Sequence, residues 1–239
     1  MRKEDVVVAT IALARTAGEE ALLRASLEQL SQAGMPVYIT DGGSANHFVS
    51  YLQKLPQFTV FSHKGLWPQA KKSITEAAKT GAKCILYTEP DKLSFFAHHL
   101  PEVVANCPEG PDFGVYLSSR SSKGFGSFPP FQQMTESTIN HCCREVIGTE
   151  TDYCYGPFLF NTYLIPTLEP LPENIGWGWR PFLFAMAKQR GLTVDAFVGD
   201  FSCPPDQREE DASERIYRMK QMAQNIDGPV LATTEGAKR

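Results

Sequence analysis

Two carboxylates stand two positions apart at the end of an apolar run in the first half of the chain. Glu89 and Asp91 flank Pro90, directly after the run at residues 84–88. Proline keeps the turn extended, so both side chains can converge on one ligand. Carboxylate oxygens at this spacing suit Mg²⁺ or Mn²⁺, which in turn binds a diphosphate. The alternative is an acidic turn that caps a helix over residues 93–106.

Further polar residues fit the same chemistry. Asp41 begins the turn Asp41-Gly42-Gly43-Ser44, where its carboxylate can accept a hydrogen bond from a base N–H and the glycines admit a ligand close to the backbone. Lys71 and Lys72 can meet a phosphate as point charges. Each also has an ordinary explanation, because polar turns and solvated lysines are common on protein surfaces.

The first half of the chain alternates strand and helix patterns. Strands are predicted at residues 6–11, 37–40, 58–61 and 84–88, with helices at 19–33, 48–55 and 69–80 between them. This alternation predicts an α/β fold with a mostly parallel central sheet and helices on both faces. The first, second and fourth runs contain almost no polar residues, so we expect them to be neighbouring central parallel strands. Thr10, Asp41 and Glu89 end these strands, where ligands of open α/β sheets bind.

The pattern changes from about residue 110. Strands are expected at 113–117, 155–165 and 193–198, and helices at 181–190 and 208–226. Residues 118–138, rich in Ser, Gly, Phe and Pro, predict a long loop that is functional or mobile. No repeat or linker divides the sequence, so we expect one domain over residues 1–239.

Composition excludes several classes of protein. The chain has 239 residues, 42% of them hydrophobic, which is enough to bury a core without disulfides. A formal net charge of −4 argues against nucleic acid as a partner. No run reaches the roughly 18 to 20 apolar residues of a membrane span. The six cysteines contain no CxxC pair and are interpreted as reduced thiols, so we expect a cytoplasmic protein.

Four segments of the first half follow one another in a recognisable order. They are VVVAT at 6–10, ITDGGS at 39–44, GLWPQAKK at 65–72 and ILYTEPD at 85–91. In this order they resemble the family 2-like glycosyltransferases, most clearly over residues 6–117. The resemblance implies the GT-A fold and transfer of a sugar from a nucleotide-sugar donor to a hydroxyl acceptor, with Mg²⁺ or Mn²⁺ as cofactor. It makes residues 6–117 a donor half and residues 118–239 an acceptor half.

The resemblance also implies roles for individual residues. Thr10 and Asp41 would face the base of the donor, and Lys71 would take the basic position after the glycine loop. Glu89 would face the ribose, and Asp91 would hold the metal that bridges the diphosphate, with Glu89 as the second carboxylate at the metal.

The acceptor half departs from the family pattern. Inverting members carry a Glu-Asp pair whose Asp is the general base, and the corresponding stretch here is ENIGWGWR at 173–180. Glu173 is the nearest carboxylate and our candidate base, with Asp152 next. Retaining transferases need no such residue, so the stereochemistry stays open.

Other residues of the acceptor half are candidates for binding an acceptor. Trp177 and Trp179 suit either stacking on a sugar face or burial in the core. Arg180 can bind an anionic acceptor, or it can simply neutralise a carboxylate of the protein. The loop around Arg120 can form part of the acceptor site, where its positive charge would favour an anionic acceptor.

Two rival functions remain open. A sugar nucleotidyltransferase shares the strand order and the metal carboxylates but opens with a glycine-rich phosphate loop, whereas residues 12–18 read ALARTAG. A non-catalytic, nucleotide-binding or scaffolding relative would account for the missing base.

Overall fold

The computed structural model describes residues 1–208 and 210–236. Its contacts divide the chain into two compact units. The first unit comprises Met1–Glu109 with Pro157–Pro166, and the second comprises Gly110–Gly156 with the residues from Thr167 onward. One domain over residues 1–239, with a donor half at 6–117 and an acceptor half at 118–239, stays a prediction.

The strands and α-helices alternate through most of the chain. In chain order they are β1 (Val6–Ala12), α1 (Ala17–Gln32), β2 (Val37–Asp41), α2 (Asn46–Leu52), β3 (Phe58–Ser62), α3 (Leu66–Ala78), β4 (Cys84–Thr88), α4 (Leu93–His98), α5 (Leu100–Asn106), β5 (Phe113–Arg120), α6 (Ser122–Phe125), α7 (Pro130–Ile147), β6 (Phe158–Asn161), α8 (Trp179–Gln189), β7 (Thr193–Gly199) and α9 (Ala212–Gly236). Short 3₁₀ helices lie at Lys3–Asp5, Thr162–Leu168, Glu173–Gly178 and Pro205–Gln207.

The first unit is built on a sheet of order β3-β2-β1-β4-β6. Its strands are parallel except β6, which runs antiparallel to β4. Every residue of β4 is buried, so both faces of the sheet are covered. The predicted strands at 6–11, 37–40 and 84–88 are therefore confirmed as neighbouring parallel strands inside the sheet. The α/β fold class is confirmed as well.

Local sequence explains how α1 and α3 are placed. A reciprocal capping box of Thr16 and Glu19 starts α1. Gly65, at a φ of 93° that favours glycine, precedes α3. One apolar side of α3, with Trp67, Ala70 and Ile74 buried, packs against β1, β2 and β4.

The second unit pairs β5 with β7 in parallel. Every residue of α8 from Trp179 to Ala187 is buried, and α9 packs against α7 and α8. An all-buried helix of this kind forms the centre of a core.

The predicted loop at residues 118–138 is wrong. β5 continues to Arg120, the hydroxyl of Ser121 caps α6, and Pro130 opens α7. Proline is well suited to the first turn of a helix, because no intrahelical hydrogen bond is lost there. The strand predicted at 155–165 shortens to β6, and α9 runs past its predicted end at residue 226.

Within 1–208 and 210–236, none of the helices has both the length and the apolar character that crossing a bilayer requires.

Candidate functional site

The carboxyl ends of β1, β2 and β4 meet at one edge of the sheet in the first unit. Ala12 of β1 lies opposite Asp41 of β2, and Thr10 lies opposite Thr88, the last residue of β4. Two strand spacings of about 4.8 Å separate β2 from β4, so Asp41 and Glu89 lie roughly 10 Å apart along this edge. The fold thus brings the acidic positions singled out in the sequence to one place.

Asp41 is a buried carboxylate in which one oxygen accepts hydrogen bonds from the protein and the other accepts none from the described residues. Its Oδ2 accepts hydrogen bonds from the backbone N–H groups of Gly43 (2.8 Å) and Ser44 (2.9 Å). Its Oδ1 is buried and has no hydrogen-bond partner within the described part of the chain. A buried acceptor without a partner is unfavourable, so Oδ1 is suited to receive an N–H or O–H donor from a ligand.

The turn that holds Asp41 needs its glycines. A β-carbon on Gly42 would collide with the side-chain amide of Gln69 from α3, and Gly43 has a φ of 114°. The Ser44 hydroxyl accepts a hydrogen bond from the Ala14 backbone N–H at 2.8 Å, which ties this turn to the segment after β1. The turn is therefore held rigid while its backbone stays open to a neighbouring molecule.

Thr10 lies inside the sheet and Lys71 lies on helix α3, so neither belongs to the turn that holds Asp41. Thr10 is fully buried, and its hydroxyl donates to the Thr88 carbonyl at 2.7 Å, joining β1 to β4. Lys71 lies on α3 with its Nζ 5.9 Å from the centre of the Trp67 ring. Contact of either residue with a nucleotide stays a prediction.

Glu89 and Asp91 lie in the connection between β4 and α4, and both are half-buried. The Asp91 Oδ1 is buried and makes no hydrogen bond among the described residues, while the Lys92 ammonium lies 3.8 Å away. No side chain caps the start of α4, so Asp91 does not serve as the helix cap that the alternative explanation requires. The predicted helix at 93–106 is also divided, at His99, into α4 and α5.

This carboxylate pair fits a divalent cation that is completed by a ligand. Among the described residues, no three His, Cys, Asp or Glu side chains gather into a metal-binding group. Mg²⁺ is commonly held by one or two carboxylates together with substrate phosphates and water, and it does not need a protein cage. Glu89 and Asp91, with a buried oxygen on Asp91 that makes no hydrogen bond among the described residues, meet that requirement.

Arg120 in the second unit belongs to a buried ionic network. Its Nε and Nη2 donate to Asp152 at 2.6 and 3.1 Å, and Nη2 also donates to Glu136 at 2.5 Å. The rings of Phe125 and Phe128 lie 4.7 and 4.4 Å from the guanidinium carbon. The Arg120 side chain is only 1% exposed, so its positive charge interacts with the buried carboxylates and not with solvent.

The network shifts the pKa values of its members. Burial lowers the pKa of the Arg120 guanidinium, but the carboxylates of Glu136 and Asp152 outweigh burial and raise it above its ordinary value. Burial raises the pKa of the Asp152 carboxyl, but the charge and hydrogen bonds of Arg120 outweigh burial and lower it. Asp152 is therefore a poor acceptor for a proton from a hydroxyl group.

A cavity of about 520 Å³ opens beside this network within the second unit. Its size is in the usual range for small-molecule sites. Most of the residues that line it carry hydroxyl, amide, imidazole or charged groups, namely Ser119, Arg120, Ser121, Ser122, Gln133, Ser137, Asn140, His141, Arg144, Glu150, Thr151 and Asp152. Hydroxyl and amide groups of this kind suit a small, strongly polar molecule.

The other candidates of the acceptor half do not line this cavity. Trp179 is completely buried in the core, and Trp177 is 8% exposed with its Nε1 donating to the Tyr217 hydroxyl at 3.0 Å. Arg180 is buried, and its Nη2 donates to the Tyr153 carbonyl at 3.4 Å. Glu173 is exposed at the start of the 3₁₀ helix Glu173–Gly178. Their roles at an acceptor stay predictions.

Sequence reasoning missed the helix that supplies much of the cavity wall. Ser137, Asn140, His141 and Arg144 share one side of α7, with spacings of three to four residues. The sequence does contain a signal for the start of α7. Pro129 and Pro130 precede a helical pattern, and proline is common in the first turn of a helix.

Comparison with known proteins identifies the fold. No protein-family model matches the chain, and no curated protein sequence matches it. Solved structures of glucosyl-3-phosphoglycerate synthase from Mycobacterium tuberculosis do match. A complex with phosphoglyceric acid superposes with a TM-score of 0.67 at 16% identity, covering 94% of this chain and 79% of that chain.

Two further structures of the same synthase agree. A complex with Mn²⁺, UDP-glucose and phosphoglyceric acid gives a TM-score of 0.66 at 16% identity, with 94% of this chain and 79% of that chain covered. A complex with Mg²⁺ and UDP gives a TM-score of 0.63 at 16% identity, with 93% of this chain and 78% of that chain covered. The chain therefore has the fold of this synthase, which is the predicted GT-A fold.

Proposed function

We propose that this protein is a metal-dependent glycosyltransferase that moves a sugar from a nucleotide-sugar donor to a hydroxyl group of a small anionic acceptor. The observation that carries the proposal is the pair Glu89 and Asp91, directly after β4 and on the same sheet edge as Asp41. The shared fold supports it, because the matching synthase was crystallised with Mn²⁺ and UDP-glucose. A cytoplasmic location is part of the proposal, since none of the six cysteines is joined in a disulfide.

The donor would bind along the carboxyl edge of the first unit. In this proposal the open Oδ1 of Asp41 accepts a hydrogen bond from the base, and Glu89 faces the ribose. Asp91, with Glu89, would hold Mg²⁺ or Mn²⁺. Bound there, the cation supplies positive charge that stabilises the diphosphate leaving group. Thr10 would support this edge from within the sheet, and Lys71 would add positive charge from α3.

The acceptor would occupy the cavity of the second unit. Serine hydroxyls and the Asn140 amide line it, and His141 and Arg144 can meet a carboxylate or phosphate. The buried pair of Arg120 and Asp152 would form a rigid wall that keeps these groups in place. The matching synthase binds phosphoglyceric acid, a hydroxyl-bearing anion of suitable size.

Glu173 would remove the proton from the acceptor hydroxyl if the acceptor extends beyond the residues that line the cavity, because Glu173 is not among them. Glu173 is exposed, whereas Asp152 is held as a carboxylate by Arg120 with a lowered pKa. Asp152 is poorly suited to remove a proton, because the charge and hydrogen bonds of Arg120 already engage its carboxylate. If turnover does not depend on Glu173, retention without a protein base is the better account.

The test is a transfer assay with purified protein, UDP-glucose, Mn²⁺ and a panel of small hydroxy acids that includes phosphoglyceric acid. We expect UDP release that depends on acceptor and metal, and slow UDP release to water without an acceptor. Asp91→Asn should remove both activities, and Glu102→Gln, an exposed change on α5, should leave them intact. Donor binding with neither transfer nor hydrolysis across the panel would favour the non-catalytic reading.

A further inference from the structure

Helix α9 presents an apolar stripe to solvent. The stripe consists of Ile216, Met219, Ala223, Ile226 and Val230. Ile216, Met219 and Val230 are 50%, 46% and 56% exposed, Ala223 is exposed and Ile226 is half-buried. An ordinary surface helix is polar on this side. A contiguous exposed apolar surface of this kind marks an interaction site.

The stripe lies on the side of α9 that faces away from its own unit. Asn225, Gly228 and Ala232 are buried and belong to the side that packs against α7, α8 and the 3₁₀ helix Glu173–Gly178. At 100° per residue, the stripe is centred about half a turn from these buried residues. The core of the second unit therefore does not explain why the stripe is apolar.

The spacing of the stripe is that of a helix that pairs with another helix. Its residues alternate steps of three and four, which is the a and d pattern of a coiled coil. From Ile216 to Val230 the stripe is about 21 Å long, at 1.5 Å per residue. A helix of similar length would cover it.

Charges beside the stripe point to a second copy of this chain in the antiparallel orientation. Lys220 and Asp227 lie on the same flank, about 10 Å apart along the axis, and neither forms an ion pair within the described residues. A two-fold axis between two copies of α9 places Lys220 of each copy near Asp227 of the other. A parallel arrangement would place this flank on opposite sides of the interface in the two copies, so the attraction between Lys220 and Asp227 would be lost.

The apolar residues match in the same antiparallel register. With Lys220 near Asp227 of the second copy, the small Ala223 lies opposite Ile226, and Met219 lies opposite Val230. We propose that α9 forms an antiparallel, two-fold homodimer contact through this stripe.

The area indicates a weak and reversible dimer. The five stripe residues expose on average on the order of 80 Å² each, so the ten of a dimer bury roughly 800 Å² in total, which is below the about 1,200 Å² of stable complexes. We therefore expect a dissociation constant in the micromolar range, on the order of 10 to 100 μM.

The test is sedimentation velocity on the full chain, from about 1 μM to about 1 mM. Lys220→Asp and Asp227→Lys should each weaken the dimer about tenfold, because each reverses two symmetry-related contacts. The double variant should restore dimerisation. Ala223→Glu should abolish it, and Lys188→Asp, an exposed charge reversal on α8, should not change it.

Circular dichroism should show that these exposed substitutions leave the fold intact. A chain that stays monomeric up to about 1 mM overturns the proposal. A dimer that is insensitive to Ala223→Glu, or a double variant that remains as weak as the single variants, overturns it equally.

Discussion

Replacing Arg120 by methionine tests whether this residue holds the second unit together. Methionine keeps most of the apolar stem but removes the charge that lies between Asp152 and Glu136. Both carboxylates are buried, with side chains 6% and 5% exposed. Removal of one partner from a buried ion pair costs about 3 to 5 kcal/mol, because the remaining charge is left uncompensated.

Remaining hydrogen bonds and protonation limit the loss of folding stability in Arg120→Met. Asp152 retains hydrogen bonds from the Asn140 side chain (3.1 Å) and the Cys154 backbone N–H (3.0 Å), and Glu136 retains one from Gln132 (2.8 Å). Asp152 can also escape by protonation, which at pH 7 costs about 4 kcal/mol for a carboxyl of ordinary pKa near 3.9. We therefore expect Arg120→Met to destabilise the fold by about 3 to 4 kcal/mol and to lower the Tm by roughly 10 °C.

The effect should depend on pH with a definite sign. In the wild type the pKa of Asp152 is lowered in the folded state, so its contribution to stability is present above its unfolded pKa and is lost as pH falls through the folded value. Without Arg120, burial dominates and raises the pKa of Asp152. The variant should then become more stable as pH falls from 7 towards about 4. The difference in the free energy of unfolding between wild type and variant should therefore become smaller.

Urea unfolding followed by circular dichroism at pH 7 and pH 4.5 measures both quantities. The control is Arg144→Met, which removes an exposed pair with Glu150 at 3.4 Å, with side chains 40% and 87% exposed. That control should change stability by less than about 1 kcal/mol. An Arg120→Met variant no less stable than the control, or a gap that widens at lower pH, would refute the buried-network argument.

Three further predictions concern the proposed activity. Gly43→Ala forces a side chain into a backbone φ of 114°, so UDP affinity should fall about tenfold by calorimetry while the far-UV spectrum stays unchanged. Ser137→Phe fills part of the 520 Å³ cavity and should raise the acceptor KM at least tenfold with donor affinity unchanged; an equal loss of donor affinity would disprove the assignment of the cavity. Glu173→Gln should lower kcat on the order of 10²-fold, and full activity would exclude Glu173 as the base.

The first unit could be predicted well because its local and long-range signals agree. The runs at 6–11, 37–40 and 84–88 are almost entirely apolar, and this is the pattern of strands that a parallel sheet buries on both faces. The turn at Asp41 and the pair after β4 follow from strand ends and need no tertiary information. The position of Thr10 was harder to predict, because β1 continues two residues past Thr10, to Ala12, and buries the Thr10 side chain inside the sheet.

The second unit was less predictable because its composition conceals its structure. Serine, glycine and proline at 118–138 indicate a loop by composition, yet Pro130 begins an 18-residue helix. Burial of Arg120 depends on Asp152 and Glu136, which lie 32 and 16 positions away in sequence. The sequence pattern alone does not indicate that these three charges neutralise one another in the core.

The central claim is that Asp91 holds a divalent metal at a nucleotide-sugar site, and metal-dependent binding of UDP tests it most directly. Thermal unfolding is measured with UDP, with and without Mn²⁺, for the wild type, Asp91→Asn and the exposed control Glu102→Gln. At a UDP concentration near 100 times Kd, binding to the native state adds about 2.7 kcal/mol, a shift of roughly 5 to 10 °C for a chain of this size. The account predicts this shift for the wild type and the control only with Mn²⁺, and its loss in Asp91→Asn at an unchanged Tm without ligand. Equal Mn²⁺-dependent shifts in Asp91→Asn and the wild type would contradict it.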